Sequence, residues 1–350
     1  MAWQNFICYW LDLNCLPILI LKYHINNHYF MKLPIFSSDI TKWIVVIIIL
    51  IIVIRLFIYI LKRTWHKTKC KLSWTPISVV ERRSNLSYNE FVREYASVGK
   101  PVIITDVIKD WKAMTKWTLD FFQTECGSIE CFVKEDSTKI EKIMTIADYI
   151  NYITAGNSDR RLYLANSGVV SDYPQLLKDY DDPIYFPNWL QRLPKKLLKK
   201  YDFDYPDIFI GHKDTSIGLH QDHYYGSAWL GMIKGRKQIV LFTPDQEEFL
   251  YDGKIDIFKP DLKKFPLYAK TNPVEVILET GEILYIPSGW WHHVKNIEVS
   301  IAIGSYLLNE WNSEMVFQSI TQKNPIKGHL FPLILEFPWL GKALFYLGII

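Results

Sequence analysis

The stretch GLHQDHYYGSAWLGMIKGRKQIVLF, from Gly218 to Phe242, decides the fold class of this chain. It contains two predicted β-strands, GSAWLGMI and KQIVLF, which are joined by the turn KGR and preceded by two histidines and an aspartate. Further segments of strand character surround it: IFIGH upstream, and EVILETGEILYIP and VSIAIGSYLL downstream. Short strands at such spacing are typical of a β-sandwich or barrel, so we predict a mainly β domain with flanking helices (α+β).

Helical patterns precede these strands. Helices are predicted over LSYNEFVREYASVGK, WTLDFFQTECG and MTIADYINYI, with a short strand PVIITDV among them. A hydrophobic content of 49% excludes a disordered protein and permits a large core. The net charge of +3 gives no argument for a nucleic-acid partner. The five cysteines are scattered and form no C-x-x-C pair, which argues against a disulfide scaffold or a zinc knuckle.

The longest apolar run is WIVVIIILIIVIRLFIYIL, from Trp43 to Leu61. A helix needs about 20 apolar residues to cross a bilayer, so the run predicts one transmembrane helix; a buried core helix is the alternative. More basic residues follow the run than precede it, which predicts a single-pass membrane protein whose later domain faces the cytosol. The following basic residues are Lys62, Arg63, Lys67, Lys69 and Lys71.

The sequence therefore divides into five parts. An N-terminal segment of unclear role spans 1–42, the transmembrane helix 43–61, and a basic juxtamembrane linker 62–74. A globular domain follows over 75–312. The segment 313–350 is apolar but interrupted by prolines, Glu336 and Lys342. These interruptions favour packing in a homodimer or at a membrane interface over a second spanning helix.

His220 and Asp222 are candidate metal ligands. Residues two apart on a strand point to the same face, so both side chains project to one side. The segment GEILYIPSGWWHHV offers His292 and His293 as a third ligand. Adjacent strand residues face opposite ways, so only one of these two histidines is expected to reach the metal. Two histidines and one carboxylate with open coordination positions are the ligand set of non-haem Fe(II) oxygenases.

An oxygenase of this type commonly uses 2-oxoglutarate, whose far carboxylate needs a cation inside the barrel. Lys237 fits that need, because it begins the strand KQIVLF. A lysine that points into an apolar interior is costly unless an anion pairs with it. The alternative is that Lys237 points to solvent, like Lys234 and Arg236.

Two longer segments resemble the halves of one known domain. LHQDHYYGSAWLGMIKGRKQIVLFTP and GEILYIPSGWWHHVKNIEVSIAI are similar to the two halves of a JmjC (cupin-like) Fe(II)/2-oxoglutarate hydroxylase domain. The intervening DIFKPDLKKFPLYAKTNPVEVIL resembles the insert of that family. The resemblance covers about Leu72 to Trp311 and implies a double-stranded β-helix core, the jelly-roll or cupin fold.

The resemblance also implies roles for single residues. It makes His220, Asp222 and His292 the metal ligands, Lys237 the partner of the far carboxylate, and Tyr163 a helper of that lysine. Trp229, Trp290 and Trp291 resemble residues that pack the barrel and brace the ligands, and His293 lies beside a ligand or at the surface. The implied cofactors are Fe(2+), 2-oxoglutarate as co-substrate, and O2.

The chain departs from the family pattern at three positions. Ile217, Leu230 and Gly304 stand where relatives carry polar residues that help to hold the co-substrate. Thr215 or Ser216 is the candidate replacement for one of these polar groups.

Together these observations predict a membrane-anchored dioxygenase that hydroxylates, rather than demethylates, a protein side chain, with no nucleic-acid partner. Two alternatives stay open. One is a degenerate domain that binds metal as a scaffold at a membrane without 2-oxoglutarate turnover. The other is a cupin-type metalloenzyme that uses no co-substrate.

Overall fold

The computed structural model describes residues 73–346 apart from 136–138, 156–161, 167 and 201–204, together with residues 43, 46–48, 50, 51 and 55. The chain divides into two compact units, and the domain described below lies in the unit that contains residues 72–350.

Thirteen β-strands form the described part of this domain. Their bounds are β1 Glu81–Arg83, β2 Val102–Ile104, β3 Glu130–Glu135, β4 Lys139–Thr145, β5 Leu162–Asn166, β6 Asp207–Gly211, β7 Ser216–Gln221, β8 Ser227–Lys234, β9 Lys237–Phe242, β10 Val274–Leu278, β11 Ile283–Ile286, β12 Trp291–Asn296 and β13 Ser300–Leu307. They make a nine-stranded sheet in the order β1-β2-β11-β8-β13-β6-β5-β3-β4 and a four-stranded sheet in the order β10-β9-β12-β7.

The inner faces of the two sheets share one apolar core. Leu230 and Met232 of β8 and Leu284 of β11 lie in the same buried cluster as Ile239 of β9 and Val294 of β12. Because side chains alternate along a strand, one face of each sheet can line this core while the other face packs elsewhere. The two-layer β core and flanking helices confirm the predicted cupin-like, mainly β fold.

The outer face of the larger sheet packs against helices. Trp229 and Ile233, which alternate with the inner residues of β8, join a second buried cluster. That cluster also holds Phe122, Tyr149 and Ile150, which come from helical segments. Helices therefore cover one side of the nine-stranded sheet.

Nine α-helices lie among the described residues of 73–346. They are α1 Tyr88–Phe91, α2 Ala113–Lys116, α3 Leu119–Glu125, α4 Ile146–Thr154, α5 Gly168–Asp172, α6 Lys195–Lys200, α7 Ser313–Lys323, α8 Pro325–Glu336 and α9 Pro338–Tyr346. A π-helical turn, Val92–Ala96, continues α1. The start of α1 follows from its sequence: Ser87 accepts a hydrogen bond from the Glu90 amide while the Glu90 carboxylate accepts one from the Ser87 amide, a capping box.

The predicted transmembrane helix, Trp43–Leu61, falls mostly on residues outside the described part of the chain, as do 1–42 and nearly all of 62–74. Among the described residues, no helix has the length and apolar character needed to cross a bilayer. The longest helix there, α8, has 12 residues, or about 18 Å, whereas a bilayer core is about 30 Å thick. The prediction of a single-pass membrane protein with a cytosolic catalytic domain is therefore wrong.

The C-terminal segment packs within the same unit. Val316 of α7 and Ile334 and Leu335 of α8 are buried in a cluster with Leu190 and Leu308. Intramolecular packing thus accounts for part of the apolar character of this segment. Its roles in a dimer or at a membrane interface stay predictions.

Candidate active site

Two neighbouring strands bring His220 and His292 together. β7 and β12 are antiparallel, and their register places His292 directly opposite His220. The centroids of the two imidazole rings are 4.1 Å apart. Asp222 follows the end of β7 and begins the short turn His223–Tyr225. One ligand atom from each of these three side chains lies within 4.8 Å of the others, so the group has the spacing needed to hold a metal ion.

Backbone carbonyls orient both imidazoles. Nδ1 of His220 lies 2.8 Å from the Gly218 carbonyl oxygen, and Nδ1 of His292 lies 3.3 Å from the Trp290 carbonyl oxygen. A carbonyl can only accept, so Nδ1 is the protonated nitrogen in each neutral ring. Nε2 then presents its lone pair, which is how hydrogen bonds to the second nitrogen prepare metal-binding histidines.

Burial fixes the protonation states of the group. It lowers the pKa of His220 to about 4, helped by the neighbouring His292, and it lowers the pKa of His292 to about 4. Burial raises the pKa of Asp222 to about 6, although His220 acts in the opposite direction. At neutral pH the three side chains are therefore two neutral imidazoles and one carboxylate.

The Asp222 carboxylate gives a separate test of whether these residues fit a metal. Its Oδ2 atom is buried and has no hydrogen-bond partner among the described residues. A buried acceptor left unsatisfied costs roughly 1–3 kcal/mol, and more when it is charged. A cation beside Oδ2 would remove this cost, and the donor set of two imidazoles and one carboxylate suits Fe(II).

The neighbours of His292 on β12 face the other way. Trp291 packs with Leu219 and Phe242 in a separate cluster on the outer side of the smaller sheet. His293 is buried, and its ring meets Phe258 edge-on at 5.0 Å. The expected alternation along β12 therefore holds, with His292 on the inner side and His293 on the outer side.

Lys237 is fully buried at the start of β9. Its Nζ donates to the Tyr163 hydroxyl at 3.0 Å and to Oδ1 of Asn296. Burial lowers the pKa of Lys237 to about 7. The side chain thus points into the protein and not into solvent, and it lies beside Tyr163 as the sequence predicts.

Asn296 is a site residue that the sequence reasoning missed. It is buried, stands opposite Lys237 in the register of β12 and β9, and donates from Nδ2 to the Thr215 hydroxyl at 2.8 Å. A signal for it existed, because Asn296 is four residues after His292 and therefore shares its face of the strand.

A β-bulge changes which residues of β7 face inward. The register of β7 and β12 shifts between the pairs His292–His220 and Val294–Ile217. Ile217 therefore packs toward the inner core, although it is three residues before His220 and simple alternation would turn it outward. Ser216, the candidate polar replacement, is at the start of β7 and partly exposed, whereas Thr215 contacts Asn296.

Leu230 and Gly304 are opposite each other in β8 and β13. A Cβ atom added to Gly304 would lie 2.7 Å from the Trp229 carbonyl oxygen and 3.3 Å from a Leu230 methyl group. The leucine thus takes up space that a larger residue at 304 would need, and both positions give this part of the inner wall an apolar character.

The remaining tryptophans have separate places. Trp229 lies on the outer face of β8, stacked on Phe186 with ring centroids 6.0 Å apart. Trp290 is buried in the inner cluster, and its indole N–H donates to the Gly99 carbonyl at 2.9 Å. Trp290 is thus positioned to hold the segment that carries His292, and Trp229 anchors the sheet to the helices.

Sequence comparisons agree with this geometry. A model of the cupin-like domain family matches residues 88–311, more than half of this chain. Lysine-specific demethylase JMJ21 of Arabidopsis thaliana is 31% identical over 67% of this chain and 26% of the relative. Arginine-specific demethylase JMJ20 of the same plant is 29% identical over 66% of this chain and 57% of the relative. The 2-oxoglutarate and iron-dependent oxygenase JMJD4 of Danio rerio is 30% identical over 74% of this chain and 66% of the relative.

The chain spans less than two thirds of the length of each of these three relatives. The matched region nevertheless contains strands β2 to β13 and every candidate ligand. We conclude that this chain belongs to the cupin-like domain family and, within it, to the JmjC-type proteins.

Proposed function

We propose that this chain is an Fe(II)- and 2-oxoglutarate-dependent oxygenase whose catalytic domain is 75–312. The observation that carries the proposal is the group of His220, Asp222 and His292. Two imidazoles with their Nδ1 atoms committed to carbonyls stand beside a carboxylate with a buried, unsatisfied oxygen. The relatives named as 2-oxoglutarate and iron-dependent oxygenases support the same activity.

Each residue of the site has a distinct task. His220, Asp222 and His292 hold iron through Nε2, a carboxylate oxygen and Nε2. Lys237 and Tyr163 bind the far carboxylate of 2-oxoglutarate, since a buried ammonium and a phenol are suitable donors to an anion. When bound, iron and co-substrate supply O2 activation and the oxidation of a C–H bond. The apolar inner core that surrounds the site limits the access of water.

The substrate that we propose is a protein side chain. Relatives include proteins named as lysine-specific and arginine-specific demethylases, whose names refer to side chains of proteins. Hydroxylation of an ordinary C–H bond leaves one added oxygen atom on the substrate. The same oxidation at an N-methyl group gives an unstable product that releases formaldehyde, so both outcomes follow from one chemistry. We favour hydroxylation, because a relative that matches 74% of this chain is named as an oxygenase and not as a demethylase.

Metal and co-substrate binding test the proposal directly. The full chain is titrated without oxygen, first with Fe(II) and then with 2-oxoglutarate, and the visible charge-transfer absorption of the chelate is recorded. We expect this absorption in the wild type and its loss in His220→Ala, Asp222→Ala and His292→Ala. The matched control is His293→Ala, one residue along the same strand but on its outer face, which should retain the absorption. Loss of metal only in His293→Ala would contradict the ligand assignment, and an Fe(II)-bound wild type without affinity for 2-oxoglutarate would contradict the activity.

A further inference from the structure

One buried carboxamide connects the polar groups around Lys237. Oδ1 of Asn296 accepts from Lys237 Nζ and from the Ser300 hydroxyl at 2.6 Å. Its Nδ2 donates to the Thr215 hydroxyl at 2.8 Å. The Asn296 side chain also lowers the pKa of Tyr163, against the larger, raising effect of burial. An asparagine offers two acceptor sites and two donors, so both acceptor sites and one donor are used.

Gly211 leaves the space that this arrangement needs. It stands opposite Tyr163 in β5 and opposite Ser300 in β13. A Cβ atom at position 211 would lie 2.0 Å from Asn296 Nδ2 and 2.6 Å from the Tyr163 ring. Asn296 and Tyr163 thus lie closely against bare backbone, and their relative position is tightly constrained.

The hydrogen bonds also determine where the remaining protons point. The Tyr163 oxygen accepts a hydrogen bond from Lys237 Nζ through one of its lone pairs. Its own O–H must then point away from Nζ. Lys237 Nζ has three N–H bonds, of which two are directed to Tyr163 and Asn296. One N–H and one O–H remain, and they start from atoms 3.0 Å apart, a spacing suited to the two oxygens of one carboxylate.

We infer that Asn296 is a positioning residue that orients Lys237 and Tyr163 as a paired donor for the far carboxylate of 2-oxoglutarate. The inference rests on the proposed function. It also explains how the site can tolerate its apolar positions. Ile217 and Leu230 line the inner core, and Gly304 has no side chain. Because these three positions cannot donate hydrogen bonds, binding of the far carboxylate depends on Lys237 and Tyr163, which Asn296 orients.

Asn296 is the neighbour through which the pKa of Lys237 can be changed, as the positions of the nearby charged groups indicate. Tyr163 faces Lys237 directly from β5. On the same face of the larger sheet are Lys134, which is opposite Tyr163 in register, and Asp207, whose charge acts on Tyr163. The acidic and basic groups nearest on β10 and β12, Glu275 and Lys295, lie on the outer face, where they contact Gln238 and Asp214.

Two variants of Asn296 test the inference in the Fe(II)-loaded full chain under anaerobic conditions. Asn296→Leu removes the three side-chain hydrogen bonds at similar volume, and Asn296→Asp keeps the shape but places a carboxylate against the ammonium. The matched control is Gln238→Leu, beside Lys237 on the outer face of β9. The Kd values of Fe(II) and 2-oxoglutarate are measured from about pH 6.5 to about pH 8.5, a range that includes the lowered pKa of Lys237.

We expect Asn296→Leu to weaken 2-oxoglutarate at least about tenfold at neutral pH, because the paired donors lose their support, while the Kd of Fe(II) is unchanged. In Asn296→Asp the new negative charge stabilises the ammonium, so the pH above which 2-oxoglutarate binding declines should rise by about one unit or more. The affinity below that pH should fall, since the carboxylate competes with the co-substrate. Gln238→Leu should behave as the wild type in both measurements.

The outcomes separate the inference from the proposed function. Wild-type affinity and an unshifted pH dependence in both Asn296 variants would overturn the inference alone. A parallel loss of Fe(II) and 2-oxoglutarate binding in Asn296→Asp, without a shift in pH dependence, would show a general structural role and overturn it as well. A wild type that binds Fe(II) but not 2-oxoglutarate would overturn both. If Asn296→Leu fails to fold, the isosteric Asn296→Asp still gives the decisive shift.

Discussion

Raising the pH should weaken 2-oxoglutarate binding to the wild-type protein, and Lys237 sets the magnitude. Burial lowers the pKa of this lysine to about 7, whereas the co-substrate carboxylate requires the charged ammonium. Above this pKa the charged fraction falls about tenfold for each pH unit. Between pH 7 and pH 8.5 the Kd of 2-oxoglutarate should therefore rise about fifteenfold, which corresponds to roughly 1.6 kcal/mol of binding free energy.

The chosen pH range isolates Lys237 from the metal ligands. The pKa values of His220 and His292 are lowered to about 4, and that of Asp222 is about 6. These groups are already in their metal-binding states at pH 7, and bound iron favours the same states. The metal affinity of the ligand set should thus not fall as the pH rises.

The assay is an anaerobic titration of the Fe(II)-loaded protein with 2-oxoglutarate at several pH values. The Kd of Fe(II) is measured at each pH as the control. A Kd of 2-oxoglutarate that stays constant from pH 7 to pH 8.5 would refute the reasoning, because it would mean that Lys237 keeps an ordinary pKa in the folded protein or does not bind the co-substrate.

Three substitutions extend the test. Lys237→Met should abolish 2-oxoglutarate binding, retain Fe(II), and raise the free energy of unfolding of the ligand-free protein by a few kcal/mol, up to roughly 5, at pH 7 and below. The pKa of Lys237 is about 7 in the folded protein and 10.5 ordinarily, so between pH 7 and pH 10.5 the unfolded chain binds one more proton than the folded chain. The free energy of unfolding of the wild type therefore rises with pH over this range. The stability advantage of Lys237→Met should shrink toward pH 10, as measured by urea denaturation. Gly211→Ala places a methyl group 2.0 Å from Asn296 Nδ2 and should weaken 2-oxoglutarate more than Fe(II) while costing about 1–3 kcal/mol of stability; equal losses for both ligands in calorimetry would contradict the close packing described above. Ile217→Thr adds a hydroxyl to the inner wall and should tighten 2-oxoglutarate up to about tenfold, and an unchanged Kd would show that position 217 does not face the co-substrate.

Local sequence patterns predict the β core because side chains alternate between the two faces along most of its strands. In β8, Trp229 and Ile233 pack outward while Leu230 and Met232 pack inward, and the same rule separates His292 from His293. The alternation fails at the bulge near Gly218, where Ile217 turns inward. One extra residue in a strand leaves no signature in residue type. The sequence therefore makes Ser216 a candidate polar contact to the co-substrate, whereas the register of β7 does not favour it.

Other features depend on the three-dimensional neighbourhood and not on residue type. The role of Asn296 is visible only when β5, β9 and β12 are brought together. The sequence alone shows only that Asn296 and His292 share one face of their strand. The apolar composition of 43–61 predicts a spanning helix, but composition cannot establish that a helix of sufficient length forms, and no such helix exists among the described residues. Part of the apolar character of 313–346 belongs to helices that bury it internally.

In the proposed site, a metal held by His220 and His292 would also link distant parts of the chain. About 70 residues, including β8 to β11, separate the two ligands. An ion that joins them closes this long loop in the native state and in no unfolded conformation, so its binding free energy adds to the stability of the fold. The lifetime of the protein should consequently increase with the concentration of Fe(II). A chain made during iron shortage would unfold and be degraded sooner than the iron-bound chain.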